Sequence, residues 1–105
     1  MERLSFTLDA PKTAGGSKPQ AVIGVVASGN LEVLLERNQP AQTCKVEIAT
    51  AAHGFKPVWE AVLNDFVARR PAGGLSISIN DGGARPDTVA LRLAQAVRLI
   101  EEDGQ

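Results

Sequence analysis

The sequence predicts an α+β fold: a two-layer sandwich of about five strands, in the order β-β-β-β-α-β-α, with both helices on one sheet face. Three observations carry this reading. The first half holds four short β-rich runs, three of them alternating between apolar and polar residues. The second half changes period, and two stretches place apolar residues at helical spacing. One strongly alternating run separates those two stretches. Alternation means that one sheet face is buried, and two amphipathic helices are available to bury it.

The elements follow in order. Residues 4–9 (Leu-Ser-Phe-Thr-Leu-Asp) alternate strictly and read as a half-buried first strand. Residues 10–19 hold two Pro, two Gly and two Lys, and are expected to form a mobile loop. Residues 20–28 are almost wholly apolar at Ala21, Val22, Ile23, Val25 and Val26. Residues 31–37 alternate, with Leu31, Val33 and Leu35 on one side and Glu32 and Glu36 on the other. Asn38 and Pro40 mark a turn, and residues 43–48 then point Cys44, Val46 and Ile48 inward. These four runs, joined by short connections, predict a largely antiparallel meander.

After a small-residue loop, Pro57 suits a first helical turn. Trp59, Val62, Leu63, Phe66 and Val67 then form one stripe, which Arg69, Arg70 and Pro71 close. Residues 75–80 (Leu-Ser-Ile-Ser-Ile-Asn) are the clearest strand. A loop at residues 81–85 turns into Pro86, and a last helix over 87–102 buries Val89, Leu93, Ala96, Val97 and Ile100. Gly104 lies just past its expected end.

The Gly29-Asn30 pair between two β-rich runs predicts a two-residue hairpin turn, because Gly takes the positive φ such turns require. In that register Ser28 lies opposite Leu31, Val26 opposite Val33 and Gly24 opposite Leu35, all on the helix-covered face. The open face then carries Ile23, Val25 and Leu34 between Glu32 and Glu36, an apolar strip suited to docking another subunit. Ser28 falls at the sheet rim, where a large partner can reach it.

Composition narrows the chemistry. The chain has 105 residues, enough for one domain with one modest core. A formal net charge of −1, no basic cluster and 4% aromatic residues argue against nucleic-acid binding. A single cysteine, Cys44, rules out an internal disulfide and a multi-cysteine zinc site, and its place in the strand pattern predicts a buried core residue. No run reaches the roughly 18–20 apolar residues of a membrane span, and Met1-Glu2-Arg3-Leu4 does not open a signal peptide. The expected setting is therefore the cytoplasm. The only histidine, His53, lies in a predicted loop, and no nucleophile-elbow pattern surrounds Ser28. Without a base within hydrogen-bond reach, Ser28 is expected to be acted upon rather than to act. Gly15-Gly16-Ser17-Lys18 lacks the residue order of a Walker loop.

The run Ser28-Gly29-Asn30-Leu31-Glu32-Val33-Leu34-Leu35-Glu36, with Asp81-Gly82-Gly83-Ala84-Arg85-Pro86 as a second motif, resembles the delta subunit of bacterial malonate decarboxylase, the acyl carrier protein of that complex. The resemblance extends from Leu4-Ser5-Phe6 to Ala90-Leu91-Arg92-Leu93, nearly the whole chain. It implies a single carrier domain over 1–105 that carries acetyl and malonyl thioesters and is not itself catalytic. It implies that Ser28 bears a phosphodiester-linked phosphoribosyl-dephospho-CoA arm, with Gly29 and Asn30 beside it. The family's Asp after the Gly is Asn30 here, which suits a turn equally well. The implied cycle exchanges acetyl for malonyl on the arm, and partner subunits then decarboxylate the malonyl group. The implied partners are those acyl transferase and decarboxylase subunits and a holo-carrier transferase that installs the arm.

A more distant likeness, mainly in the last helix, is to the acyl carrier subunit of citrate lyase, which bears the same arm. Acyl carriers of fatty-acid synthesis are four-helix proteins with an Asp-Ser-Leu attachment motif, and this chain matches neither feature. The competing class is a non-covalent interaction subunit that leaves Ser28 bare. For the loop at 81–85, an ordinary strand-to-helix turn is favoured over a phosphate cradle built from its amides and Arg85.

Overall fold

The computed structural model describes residues 2–25, 28–51, 53–84 and 86–102, with backbone alone for 24, 25, 28–30, 86 and 87. Val26, Arg85 and Gly104 lie outside the described residues, so the pairing expected for Val26 and the role considered for Arg85 do too. The elements are β1 (Glu2–Asp9), β2 (Gln20–Val25), β3 (Ser28–Arg37), β4 (Thr43–Thr50), α1 (Lys56–Arg69), β5 (Leu75–Asp81) and α2 (Pro86–Glu101). This is the predicted α+β order. The five strands form one sheet, arranged β1-β4-β5-β3-β2, with the two helices packed on it.

The expected meander is not what forms. β5 inserts between β4 and β3, parallel to β4 and antiparallel to β3, and β1 pairs with β4 rather than β2. The physical reason is non-local. The most regular alternating strand can satisfy ladders on both sides, so it takes the centre, and α1 supplies the crossover that a parallel β4–β5 pair requires. The strands left at the edges are β1 and β2.

The register lines the inward residues up in rows. Phe6, Val46, Ile77, Leu35 and Ala21 form one row, and Leu4, Ile48, Ile79, Val33 and Ile23 the next. Above them lie Trp59, Leu63, Phe66 and Val67 of α1 and Val89, Leu93, Ala96, Val97 and Ile100 of α2, all buried. The two predicted helical stripes are thus the core faces. Each large apolar side chain removed from water here contributes roughly 1.5–3 kcal/mol.

Arg37, the last residue of β3, ties the opposite end of the sandwich together. Its guanidinium donates to the backbone carbonyls of Lys18 (3.0 Å), Ala14 (3.1 Å), Gly15 (2.9 Å) and Ile100 (3.3 Å). Planar forked donors suit this many acceptors, and a cation is favoured at the negative end of α2. The 10–19 connection is anchored further by Ala10 N–H to Gln42 O and Thr13 Oγ1 to Ala41 O. Gly73 lies where this connection and the 38–42 loop both cross the start of β5. It donates to Lys12 O and accepts from Ala14 N–H. A Cβ at Gly73 would collide with the carbonyl oxygen of Ala41. Backbone cannot yield as a flexible side chain can, so Gly73→Ala is expected to cost about 1–3 kcal/mol in urea unfolding.

Candidate functional site at the ribbon end of the sheet

Four segments meet at one end of the sheet. β4 and β5 are parallel, so their carboxyl ends coincide, with Thr50 paired to Asp81. β3 runs the other way and pairs Leu31 with Asp81, so it starts at this end. Ala51 N–H donates to Asp81 O at 2.9 Å, which brings the chain leading to α1 alongside. Both helices therefore begin here, each following a parallel strand.

β3 is longer than its neighbour. Its pairing with β5 ends at Leu31, yet the strand extends three residues further, to Ser28. Of these, Ser28 pairs with Val25 of β2, and among the described residues none of the three pairs with β5. At 3.3 Å per residue, the two-stranded ribbon outreaches β5 by up to about 10 Å. Ser28 thus sits in a strand, at the outer end of that ribbon.

The local register differs from the one predicted from Gly29-Asn30. The chain reverses between Val25 and Ser28, and Gly29 and Asn30 lie within β3. Ala21 rather than Gly24 lies opposite Leu35, and Ile23 lies opposite Val33. The ladder is irregular between Ile23 and Val25: β2 advances two residues while β3 advances five, from Val33 to Ser28. Gly29 and Asn30 fall inside this bulge-like stretch, a position glycine also favours. The cause is burial. The shifted register puts Ile23 on the covered face beside Val33, where it packs against the core. The apolar strip expected on the open face is correspondingly reduced: Ile23 has left it, and Val22 (53% exposed) now neighbours Leu34.

Asp81 holds the base of the ribbon. Its carboxylate is buried, and Oδ2 accepts from Thr50 Oγ1 at 2.7 Å. Oδ1 accepts from the amides of Gly83 (3.1 Å) and Ala84 (2.7 Å). Those two amides are therefore committed to Asp81, which favours the ordinary strand-to-helix turn over a phosphate cradle. Gly83 adopts φ 113°, the left-handed region that favours glycine. Beside it, Asn80 Nδ2 donates to Glu32 Oε1 at 3.2 Å, linking β5 to β3 on the open face. The Asp81–Thr50 pair and the Arg37 clamp were not foreseen from sequence, because each joins residues distant in the chain.

The remaining reactive side chains are placed elsewhere. Cys44 is fully buried in β4, and burial pushes its thiol up to about 12. His53 is exposed in the loop before α1. No group of His, Cys, Asp or Glu with metal-binding geometry occurs among the described residues. Gly15 and Gly16 pack against Glu101 at the carboxyl end of α2, the wrong end of a helix for phosphate. No helix among the described residues is long and apolar enough to cross a membrane.

Comparison with known proteins gives a consistent answer. Residues 18–100 match the family model described as Malonate decarboxylase delta subunit (MdcD). The chain is 60% identical over 105 residues to a malonate decarboxylase acyl carrier protein of Bradyrhizobium diazoefficiens, covering 100% of both chains. It is 48% identical over 101 residues to one of Xanthomonas euvesicatoria, covering 96% of each. Among solved structures it is similar to a chain in the crystal structure of a Pseudomonas malonate decarboxylase hetero-tetramer in complex with malonate. That match has a TM-score of 0.81 and 36% identity, and covers 95% of this chain and 99% of the other.

Two outcomes follow from the site's geometry. Asp81→Ala leaves the Gly83 and Ala84 amides and the Thr50 hydroxyl without their acceptor, and is expected to cost about 1–3 kcal/mol in denaturant unfolding. The raised Cys44 value has a definite sign: the unfolded chain ionises this thiol near its ordinary value of 9.0, the folded chain only near 12. The stability contribution linked to Cys44 is therefore fully present below about pH 9 and is lost as pH rises towards 12. Iodoacetamide at pH 8 should accordingly label Cys44 in unfolded protein and spare it in folded protein.

Proposed function

This chain belongs to the malonate decarboxylase delta subunit family, and from that premise we propose that it is the acyl carrier subunit of a malonate decarboxylase, with Ser28 as the attachment point of a phosphoribosyl-dephospho-CoA arm. The observation that supports Ser28 is its place at the free end of a ribbon whose base is fixed by a buried carboxylate. An attachment residue must be reached by a large transferase, and a strand that outruns its sheet offers that access. Gly29, lacking a Cβ, lets such a partner approach the backbone closely. Asn30 leads from it into the paired part of β3.

When bound, the arm supplies a terminal thiol on which acyl groups are held as thioesters. The chain's own part is mechanical. Ser28 anchors, the β2–β3 ribbon sets the anchor away from the sheet, and tethering raises the local concentration of the acyl group at successive active sites. The only cysteine is buried in the core, which fits a borrowed thiol rather than a resident one. In this reading the single domain 1–105 is non-catalytic and cytoplasmic. It works with acyl transferase and decarboxylase subunits and is matured by a holo-carrier transferase. A non-covalent interaction subunit is the alternative, and it needs no modification at Ser28.

Intact-mass spectrometry separates the two. Protein co-produced with its own holo-carrier transferase is expected to carry one nucleotide-containing adduct, absent from Ser28→Ala. An unmodified wild-type protein under those conditions, or an adduct that survives the substitution, contradicts the assignment.

A further inference from the structure

The sheet has two edges, and they differ. β2 is six residues long, follows Pro19, and its pairing shifts between Ile23 and Val25. Shortness, proline and an irregular ladder keep an edge strand from pairing further. β1 has none of these. It is eight residues long, pairs with β4 without a shift from Glu2 to Asp9, and holds neither Pro nor Gly. A long, regular edge is a template for another strand. What its free side offers follows from the ladder. Thr43 lies opposite Asp9, and its carbonyl accepts from the N–H of Gly74, which leads into β5. One residue beyond Asp9, Ala10 N–H donates to Gln42 O on the β4 side. At Asp9 the backbone therefore points away from β4, and the direction alternates along the strand. The N–H and C=O groups of Arg3, Ser5, Thr7 and Asp9 face out from the sheet edge, where they meet no partner among the described residues.

The side chains of β1 complement one another. Arg3, Ser5, Thr7 and Asp9 are exposed on the open face, and Leu4, Phe6 and Leu8 lie on the covered face. Leu4 and Leu8 are only half-buried at the margin of the core. Arg3 and Asp9 carry opposite charges, and neither has an ion-pair partner among the described residues. Antiparallel pairing opposes residues of one face, so a second β1 can join only with odd-numbered residues opposite odd and even opposite even. Centred on Phe6, that pairing sets Arg3 opposite Asp9, Leu4 opposite Leu8 and Ser5 opposite Thr7, each twice across a two-fold axis. The charged pairs then fall at hydrogen-bonded positions, and the leucine pairs at the closer non-hydrogen-bonded ones. Centring on Ser5 instead sets Arg3 against Thr7 and Glu2 against Leu8. Centring on Thr7 sets Arg3 against Pro11, beyond the strand.

We propose that β1 is a self-association edge: two copies of this chain pair their β1 strands antiparallel in the Phe6-centred register, and their five-stranded sheets become one continuous sheet. The occupant is a second copy because the complementarity is that of the strand with itself. The inference depends neither on the arm nor on Ser28. Both helix layers lie on the same face of the joined sheet, and the two β2–β3 ribbons lie at its outer edges. Glu2 pairs with Thr50, and Thr50 with Asp81, so β1 starts at the ribbon end of each copy. Antiparallel pairing therefore points the two ribbons in opposite directions and leaves each of them open.

Sedimentation equilibrium of the full-length chain over a range of concentrations is the test, and a reversible dimer is expected. Thr7→Pro removes one outward amide and leaves the β4 ladder intact, so it should fold and stay monomeric. Arg3→Asp and Asp9→Arg each set like charges opposite one another at two places. Each is expected to weaken the dimer by about tenfold or more, with an effect that shrinks at high salt. An equimolar mixture of these two single variants should regain the dimer, because every charged pair between unlike copies is again of opposite sign. That rescue reports the register, which a merely structural role for either residue does not produce. A wild-type mass of one chain up to about 1 mM overturns the proposal. So does a dimer untouched by Thr7→Pro, or a mixture that associates no better than its components. A monomeric chain whose binding to the remaining subunits of the same host's decarboxylase is lost in Thr7→Pro also overturns it, since the edge then serves a different subunit. If Thr7→Pro unfolds, the mixture of charge variants decides alone.

Discussion

The structure depends on how β3 is shared. From Val33 to Glu36 this strand is paired on both sides, with β5 and β2, and its pairing with β5 runs from Leu31 to Arg37. Its inward residues Leu31, Val33 and Leu35 are fully buried, which fixes its register because a one-residue slip would turn all three to the open face. At one end β3 terminates in Arg37, whose guanidinium holds the 10–19 connection and the end of α2. At the other it continues past the sheet as half of a ribbon. A strand anchored this firmly at one end can present its other end without the whole element moving.

The same logic explains Asp81. A buried carboxylate is tolerated only when its acceptor capacity is used. Here a hydroxyl and two amides use it. The result is a fixed turn at the point where β5 stops and the ribbon goes on alone. Ser28 is thereby offset from a rigid platform, while the one thiol of the chain is sealed inside that platform. In the proposed carrier reading Ser28 would be the anchor and the working thiol would come with the arm, since Cys44 is sealed in the core.

Much of this was legible in the sequence. Alternation placed Cys44, Val46 and Ile48 inward, and helical spacing identified both buried stripes, including Trp59 and Ile100. These are local periodicities that one buried face imposes. Strand order was not legible, since β5 enters between β4 and β3 through pairings remote in sequence. The β2 register was misread for a different reason. Residues 21–26 are apolar almost throughout, so they have no phase of their own, and the Gly29-Asn30 turn signal supplied one. Burial of Ile23 against Val33 decided otherwise, and Gly29 fell in a bulge instead of a turn. Ser28 remained at the rim in both versions because the reversal moved only to its other side.

The central claim is that the chain reverses just before Ser28, so that this residue begins β3 at the end of a ribbon. Cross-strand proton contacts in isotopically labelled protein measure this directly by NMR. The account predicts backbone contacts between Val25 and Ser28 and between Ile23 and Val33. Contacts between Ser28 and Leu31, with Gly24 facing Leu35, would place the turn at Gly29-Asn30 and contradict it.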